Sequence, residues 1–222
     1  MAGHIEGKGI VTQDSAGLAQ KGGATWSPIL IGERQDDIRT TRVSMAAADL
    51  VIGCDPIVSA GTETVLRMRE GRTHVALNSH STPTAAFVKN SDWANPSDAC
   101  VGEIARAVGP EAVGAFNADV AATKLMGDSI YTNPMMLGYA WQKGWIPLGR
   151  ESLMRAIELN AVAVDNNKAA FEWGRRAAHD PASVAARMAP AGQVIEFKKR
   201  ETLETVIARR AEFLTDYQDA AY

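Results

Sequence analysis

In the first half of the chain, short apolar runs alternate with longer stretches of helical period. The runs are rich in β-branched residues and mostly continuous, as is typical of strands covered on both faces. They span residues 9–14, 24–33, 49–55, 73–79 and 112–118. Between them, helical patterns start near Ser59 and at Asn95-Pro96, and the second pattern ends at Gly109-Pro110. This alternation predicts an α/β fold with a mostly parallel sheet and helices on both faces.

After about residue 119 the pattern becomes almost entirely helical. Residues 151–160 and 164–178 each place apolar side chains along one helical face. The stretch 179–192, "HDPASVAARMAPAG", is typical of a linker, and 202–221 is an amphipathic helix that needs a surface to dock on. We therefore expect one domain over residues 1–178, followed by a linker and a C-terminal amphipathic helix over 179–222.

Composition and charge narrow the classes of function. The 222 residues are 46% hydrophobic, which is enough to bury a full core. A net charge of −3 provides no basic stripe for nucleic acid or for an anionic membrane, so any anion site must be local. No apolar run approaches the ~20 residues that cross a bilayer, and the start "MAGHIEGKG" lacks the apolar core of a signal peptide. We expect a cytoplasmic protein that binds neither nucleic acid nor a membrane.

Cysteine and histidine spacing predicts no metal centre on this chain. Cys54 and Cys100 are not in CxxC spacing, and the four histidines form no recognised ligand pair. Neither an iron-sulfur cluster nor a structural zinc is therefore expected on this chain alone. The sequence also contains no GxSxG motif and no paired carboxylates in a recognisable frame, so we assign no catalytic residue.

The stretch "SAGLAQKGGATWS" at 15–27 is the first candidate binding segment. Its glycines, Gly17, Gly22 and Gly23, permit positive φ and close backbone approach, and Lys21 adds a point charge suited to a phosphate or carboxylate. The stretch matches neither GxGxxG nor a Walker motif. On composition alone a structural turn is favoured over a ligand loop, and both interpretations remain open.

A second candidate follows the third apolar run, where "LVIGCDPIVSAG" places Cys54 and Asp55 at the carboxyl end of a strand. Ligands of open parallel sheets collect at that edge, so Asp55 either orders the turn or lies next to a ligand. Cys54 is interpreted as a small buried residue rather than a nucleophile, because no histidine lies nearby in sequence. His80, after the fourth run, is interpreted as a loop residue rather than a general base.

Residues 127–145, "GDSIYTNPMMLGYAWQKGW", are dense in aromatic, methionine and small polar residues. Asp128, Ser129 and Asn133 are candidates to cap helix ends. The apolar residues of this stretch form either an ordinary core helix or a contact surface for another polypeptide, in which aromatic residues and methionine are enriched.

Five blocks of the sequence, in the same order, resemble the gamma domain of indolepyruvate ferredoxin oxidoreductase, in the version fused into one long 2-oxoacid oxidoreductase chain. The blocks are "GLAQKGGA", "ADLVIGCDPIVSAG", "GDSIYTNPMMLGYAWQKGWIPL", "AIELNAVAVDNNKAAFEWGR" and "VIARRAEFLTDYQDAAY". The resemblance extends over nearly the whole chain. The lysine form "AQKGG" together with "GYAWQKG" is typical of the indolepyruvate branch, whereas pyruvate-type relatives tend to carry an arginine-containing loop.

The resemblance implies a Rossmann-like three-layer subunit with a helical C-terminal part. The larger enzyme would decarboxylate a 2-oxoacid on thiamine diphosphate, pass electrons through iron-sulfur clusters to ferredoxin, and deliver the acyl group to coenzyme A. Thiamine diphosphate and the clusters would belong to partner domains or subunits of an oligomeric complex. This chain would hold no cofactor alone and would contact coenzyme A.

Two groups of residues match the motifs of that family. Gly17, Gln20, Lys21, Gly22 and Gly23 match its glycine loop, which changes the favoured interpretation of this stretch from a turn to a functional loop. Asp128, Ser129 and Asn133 match the second signature block and, with Asp55, are expected to lie next to a ligand or an interface. The match does not define their individual roles.

One departure from the family concerns the start of the chain. Family members open with a glycine-rich strand, turn and helix, whereas "MAGHIEGKG" aligns with the end of that helix, so the resemblance implies that the first strand and turn are missing. The expected function is that of a subunit or fragment acting on indolepyruvate or other aryl pyruvates. The alternatives are a stand-alone module that binds a nucleotide or an acyl-coenzyme, and a purely structural interaction domain.

Overall fold

The computed structural model of the chain describes residues 1–14, 25–80, 96–189, 202–217 and 219. The chain divides into two units, Met1–Met188 and Ala189–Tyr222. Each of the five strands in the described residues lies inside one of the five apolar runs predicted from the sequence. The strands are β1 (Gly9–Thr12), β2 (Ile29–Gly32), β3 (Leu50–Gly53), β4 (His74–Asn78) and β5 (Val113–Phe116).

The strands form two sheets rather than one. β3, β4 and β5 are parallel and hydrogen-bonded in that order, as the βα alternation predicts. β1 and β2 form a separate antiparallel pair, with Gly9 opposite Gly32 and Thr12 opposite Ile29. The sequence did not predict the direction of these two strands, because an apolar run shows which residues are covered but not how its neighbour runs.

Ten helices occur in the described part of the chain. They are α1 (Ala2–Ile5), α2 (Pro56–Ser59), α3 (Thr62–Val65), α4 (Ser97–Val108), α5 (Ala118–Met126), α6 (Thr132–Gln142), α7 (Arg150–Asn160), α8 (Val164–His179), α9 (Pro181–Met188) and α10 (Leu203–Tyr217). Short 3-10 turns cover Gln35–Asp37, Pro110–Ala112 and Ser129–Tyr131. α4 ends where predicted, because Gly109 adopts φ 90° and stops the helix.

Helices cover both faces of the parallel sheet, which gives the predicted three layers. Side chains of β4 alternate between the two faces: Val75 and Leu77 pack with Ile104 and Val108 of α4, whereas Ala76 packs with the helices of the opposite layer. This arrangement is the α/β fold that the sequence predicts.

The face that receives α6 carries small residues. Ala76 is fully buried there beside Met136 and Tyr139, and a side chain on Gly114 would collide with the hydroxyl of Tyr139. Phe116 of β5 stacks on the Tyr139 ring with a centroid separation of 4.8 Å. Small residues on the strands therefore allow the large side chains of α6 to lie flat against the sheet.

Two details of the helical part differ from the sequence expectations. The helix predicted to begin near Ser59 is two short helices, and Ser59 is the last residue of α2 rather than its cap. Residues 181–188, assigned to the linker, form α9 and bury Val184 at 3% exposure in the core of the first unit. The unit consequently extends to Met188 instead of ending at Ala178.

The second unit contains α10, whose described residues expose Leu203, Ile207, Phe213 and Tyr217. In the part of the chain that the structure describes, no helix is long and apolar enough to cross a membrane.

Candidate functional site

The carboxyl ends of β3, β4 and β5 meet at one edge of the parallel sheet, and Asn78 joins all three. Its side chain is buried at 2% exposure. The amide nitrogen donates to the carbonyl of Cys54 after β3 at 3.0 Å, and the amide oxygen accepts from the backbone N–H of Ala118 after β5 at 3.0 Å. The same oxygen accepts from the N–H of His80 at 3.2 Å. One buried side chain thus sets the geometry of the edge where ligands of parallel sheets bind.

Asp55 begins α2 at this edge. Its carboxylate accepts from the backbone N–H groups of Ile57 at 2.8 Å and Val58 at 3.3 Å, and Pro56 occupies the first helical position. The hydroxyl of Ser59 donates to the Asp55 carbonyl at 2.6 Å. Asp55 therefore orders the turn, which is one of the two roles predicted for it. Its side chain is half-buried at the carboxyl edge of the parallel sheet.

Cys54 is exposed, so the expectation that it is buried is wrong. The pKa of its thiol is raised, first because neighbouring protein atoms displace water from the sulfur and second because the Asp55 carboxylate lies close by. A raised pKa keeps the sulfur protonated at neutral pH and makes it a poor nucleophile, in line with the sequence interpretation.

His80 lies two residues beyond β4 and faces Asp119 of α5. The imidazole Nε2 is 3.7 Å from Oδ2 of Asp119. The other carboxylate oxygen of Asp119 accepts from the hydroxyl of Thr132, the first residue of α6, at 3.4 Å. Asn117 caps α5 by accepting from the N–H of Val120, so Asp119 lies in the first turn, where the positive helix end favours a carboxylate.

The second predicted block begins with a cap and continues into a core helix. The carboxylate of Asp128 accepts from the N–H of Ile130 at 2.9 Å, which confirms the predicted capping role for this residue. Ser129 and Asn133 are exposed and lie in the 3-10 turn and in the first turn of α6. In the ranges that the structure covers, no hydrogen bond or ion pair joins Asp128 to Asp55. The block contacts the sheet edge through the hydrogen bond from Thr132 to Asp119.

The interior of α6 resolves the choice between a core helix and a contact surface. Met135, Met136 and Ala140 are fully buried, and Tyr139 is exposed by only 6%. α6 packs closely on α8, because Gly138 and Gly174 bring the two backbones together. The methionines and Tyr139 are therefore core residues, and Ile130, at 73% exposure, is the large apolar side chain that the block presents to solvent.

The glycine-loop residues Gly17, Gln20, Lys21, Gly22 and Gly23 lie outside the described residues. The structure does describe what holds both ends of the segment. At one end, the N–H of Gln13 donates to the carbonyl of Pro28 at 3.2 Å. At the other end, the indole N–H of Trp26 donates to the hydroxyl of Thr64 in α3 at 2.9 Å, and that hydroxyl donates to the carbonyl of Val58 in α2.

Three residues of this edge were not identified from the sequence. Asn78, Asp119 and Thr132 belong to different elements, and only folding brings them to one edge. Asn78 carried a usable signal, because it is an amide at the end of the otherwise apolar run "HVAL" and strand ends had already drawn attention to Asp55. Asp119 and Thr132 have no such signal. Across the described ranges, no group of three or more His, Cys, Asp or Glu side chains is placed to hold a metal ion.

The fold and the edge define a three-layer α/β protein whose parallel strands end at a polar edge. The chain belongs to the pyruvate ferredoxin/flavodoxin oxidoreductase family, whose model matches residues 1–177. The resemblance inferred from the sequence motifs is thereby confirmed.

Individual relatives agree with that family. Over 171 residues the chain is 29% identical to the indolepyruvate oxidoreductase subunit IorB of Methanothermobacter thermautotrophicus, an alignment that covers 76% of this chain and 82% of that protein. The gamma subunit of a keto/oxoacid ferredoxin oxidoreductase from Geobacter sulfurreducens shares the fold with a TM-score of 0.51 at 19% identity, covering 80% of this chain and 85% of that one. The pyruvate oxidoreductase subunit PORC of Thermotoga maritima superposes with a TM-score of 0.50 at 18% identity, covering 79% and 83%.

Proposed function

We propose that this chain is a subunit, or a fragment of a longer subunit, of a cytoplasmic thiamine-diphosphate-dependent 2-oxoacid:ferredoxin oxidoreductase. The complex would oxidatively decarboxylate indolepyruvate or a related aryl pyruvate, form the acyl-coenzyme A and pass the electrons to ferredoxin. Family membership over residues 1–177 supports the class of enzyme, and the similarity to an indolepyruvate oxidoreductase subunit supports the substrate.

The iron-sulfur clusters and thiamine diphosphate are assigned to partner subunits. A cluster needs about four cysteine thiolates, whereas this sequence has two cysteines, at the end of β3 and in α4. The residues of this chain therefore do not fit a cluster. Its own contribution is proposed to be binding and orienting coenzyme A at the edge of the parallel sheet.

The observation that carries this role is the contact between Trp26 and Thr64. It ties the C-terminal end of the glycine segment to α3, which follows α2, and α2 starts from Asp55 at the sheet edge. Lys21 precedes Trp26 by five residues, a length of chain that spans at most roughly 18 Å. This short length of chain supports a role for Lys21 at the edge, where it would meet a phosphate of coenzyme A.

Purification from the native host tests the assignment. An affinity-tagged chain should retain its partner subunits, and the preparation should contain thiamine diphosphate and show iron-sulfur absorbance. The purified complex should reduce ferredoxin faster with indolepyruvate or phenylpyruvate than with pyruvate, in a reaction that requires coenzyme A.

The rival is a stand-alone module that binds a nucleotide or an acyl-coenzyme without catalysis. This rival predicts that the tagged chain purifies without partner subunits, lacks both cofactors and still binds coenzyme A in calorimetry. Such a result would refute the assignment to an oxidoreductase complex. A complex that prefers pyruvate would refute only the choice of substrate.

The glycine loop allows a test at a single residue. Lys21→Ala should raise the apparent KM for coenzyme A about tenfold in the assembled enzyme, equivalent to about 1.4 kcal/mol of binding, while the KM for the 2-oxoacid changes little. Exposed Lys143→Ala is the control, because it also removes one lysine charge, and Lys143 follows α6 and lies over the Tyr139 ring. An unchanged dependence on coenzyme A would contradict the proposed role of Lys21.

A further inference from the structure

Among the described side chains at the sheet edge, His80 and Asp119 form a pair that the fold does not need for its stability. The backbone N–H of His80 donates to the buried amide oxygen of Asn78, and the carboxylate of Asp119 accepts from the hydroxyl of Thr132, which is exposed by only 8%. Buried polar groups therefore hold the backbone of His80 and the carboxylate of Asp119. The pair itself remains accessible, with side-chain exposures of 39% for His80 and 33% for Asp119.

Structural stabilisation does not explain this arrangement well. A histidine and a carboxylate separated by 3.7 Å and both partly exposed form an ion pair that contributes about 0–1 kcal/mol at most. Of the pair, Asn78 contacts only the backbone N–H of His80, which any residue except proline would supply, so the imidazole is not needed to complete the core. The geometry of the pair instead resembles the support of a general base, in which a carboxylate orients one imidazole nitrogen and leaves the other free.

The orientation of the ring decides which nitrogen can accept a proton. Nε2 faces the carboxylate of Asp119, which favours a proton on Nε2. Among the residues that the structure describes, Nδ1 has no hydrogen-bond partner. Within the described ranges, the other titratable groups at this edge are the Cys54 thiol and the Asp55 carboxylate at the end of β3, which connect to the same Asn78 through the Cys54 carbonyl.

We propose that His80 is the proton acceptor for the thiol of coenzyme A and that Asp119 is its positioning residue. The inference rests on the proposed function, since it takes the thiol substrate from there. In this step the S–H bond breaks, its proton moves to Nδ1 of His80, and the bonding electron pair remains on sulfur as the thiolate. Asp119 stabilises the resulting imidazolium across the Nε2–Oδ2 contact, and the proton later leaves to water.

A base is useful here because the thiolate, not the thiol, is the nucleophile. A free thiol has a pKa of about 8.5, so only a few per cent is ionised at pH 7. General-base assistance typically contributes about 100-fold or more.

The test compares two activities of the assembled complex. One is steady-state turnover at varied coenzyme A; the other is the reduction of a one-electron dye by the 2-oxoacid before coenzyme A is added. His80→Gln should lower kcat/KM for coenzyme A about 100-fold at pH 7 and leave the reduction without coenzyme A within about twofold. The deficit should shrink as the pH approaches 9, where the thiol ionises without help. His179→Gln, at the exposed end of α8, is the matched control.

Two further variants separate a base from a structural residue. His80→Ala should be rescued in part by added imidazole, which a merely structural defect would not show. Asp119→Asn should lower kcat/KM for coenzyme A and leave the reduction without coenzyme A within about twofold, because the imidazolium loses the carboxylate across the Nε2–Oδ2 contact.

The proposal is overturned if His80→Gln leaves kcat/KM for coenzyme A unchanged. It is also overturned if the variant slows the reduction without coenzyme A to the same extent, or if imidazole restores nothing to His80→Ala. A wild-type complex without any coenzyme A-dependent turnover would instead refute the proposed function. The failure of the proposed function can therefore be distinguished from the failure of the role proposed for His80.

Discussion

At the scale of single residues, Asn78 connects more of the candidate site than any acidic group does. Its amide makes three hydrogen bonds to backbone groups that follow three different strands. Backbone groups buried without a partner cost free energy, about 1–3 kcal/mol each. Asn78 therefore contributes to stability and to site geometry together.

Asn78→Ala should lower the free energy of unfolding by about 3 kcal/mol, because the N–H groups of Ala118 and His80 and the carbonyl of Cys54 lose their partner. Urea denaturation followed by circular dichroism measures the change. Exposed Asn133→Ala in α6 is the control and should change stability by less than about 0.5 kcal/mol. Similar losses for both variants would show that the network at Asn78 contributes little.

Glu6 provides a pH-dependent contact between the start of the chain and α7. Its carboxylate accepts from the Ser152 hydroxyl and from the N–H of Gly149 at 2.6 Å, at the positive end of the helix. These two hydrogen bonds, Ser152 first, lower the pKa of Glu6. Because the carboxylate form is favoured in the folded state, the contact stabilises the fold above the unfolded pKa of about 4.3 and is lost as the pH falls through the lowered value.

Glu6→Gln should therefore reduce the urea midpoint at pH 7. The difference from wild type should shrink as the pH falls through the lowered pKa of Glu6, because the wild-type carboxylate then becomes protonated and loses the contact. Glu111→Gln, at an exposed position before β5, controls for the loss of a negative charge. A difference between wild type and Glu6→Gln that does not change with pH would assign the effect to packing instead.

At the scale of elements, the contact between α6 and α8 organises the layer behind the sheet. A side chain on Gly138 would overlap the backbone of Phe171, and one on Gly174 would overlap the backbone of Met135. The neighbouring atoms are backbone, so they cannot move aside as a flexible side chain would. The two helices pack at this distance only because both positions are glycine.

Gly138→Ala should destabilise the protein by about 3 kcal/mol or prevent folding, because overpacking against backbone forces the helices apart. Gly102→Ala is the matched control: Gly102 is also inside a helix, α4, and an added Cβ there meets no atom within 4 Å. The control should stabilise the protein by about 0.5–1 kcal/mol, through helix propensity and a less flexible unfolded chain. Thermal unfolding measures both, and equal effects would contradict the close approach.

At the scale of the whole molecule, the boundary of the first unit depends on α9. Val184 is buried in the core cluster, α9 packs on α8 and α5, and the Lys124 ammonium of α5 donates to the carbonyl of Met188 at 2.7 Å. α10 in the second unit buries no described residue. The first unit should therefore need residues up to 188 but not the C-terminal helix.

The free energy of unfolding of a chain that ends at Met188 should lie within about 1 kcal/mol of that of the full chain. For a chain that ends at Ala178, the free energy of unfolding should fall by about 2–3 kcal/mol, since burial of Val184 alone contributes about 1.5 kcal/mol or more. Urea midpoints of the three chains measure this. Equal stability of both shortened chains would place the boundary after Ala178, as the sequence predicted.

Local patterns in the sequence determine much of this protein. The five apolar runs contain the five strands, Gly109 ends α4 because only glycine adopts its φ without strain, and Asp128 caps a turn through its own following backbone. These features depend on residues a few positions apart, so periodicity and capping rules suffice to find them. The motif blocks also identified the family that the comparison with known proteins confirms.

Other features were decided only by the tertiary structure. The antiparallel pairing of β1 with β2, the burial of α9 and the meeting of His80 with Asp119 all join segments that are distant in sequence. An apolar run encodes that a face is covered but not which element covers it or in which direction that element runs. For the same reason, the sequence shows Asn78 only as the polar end of a strand. In the fold its side chain hydrogen-bonds to backbone groups after all three parallel strands, because the order of the strands brings those groups within reach.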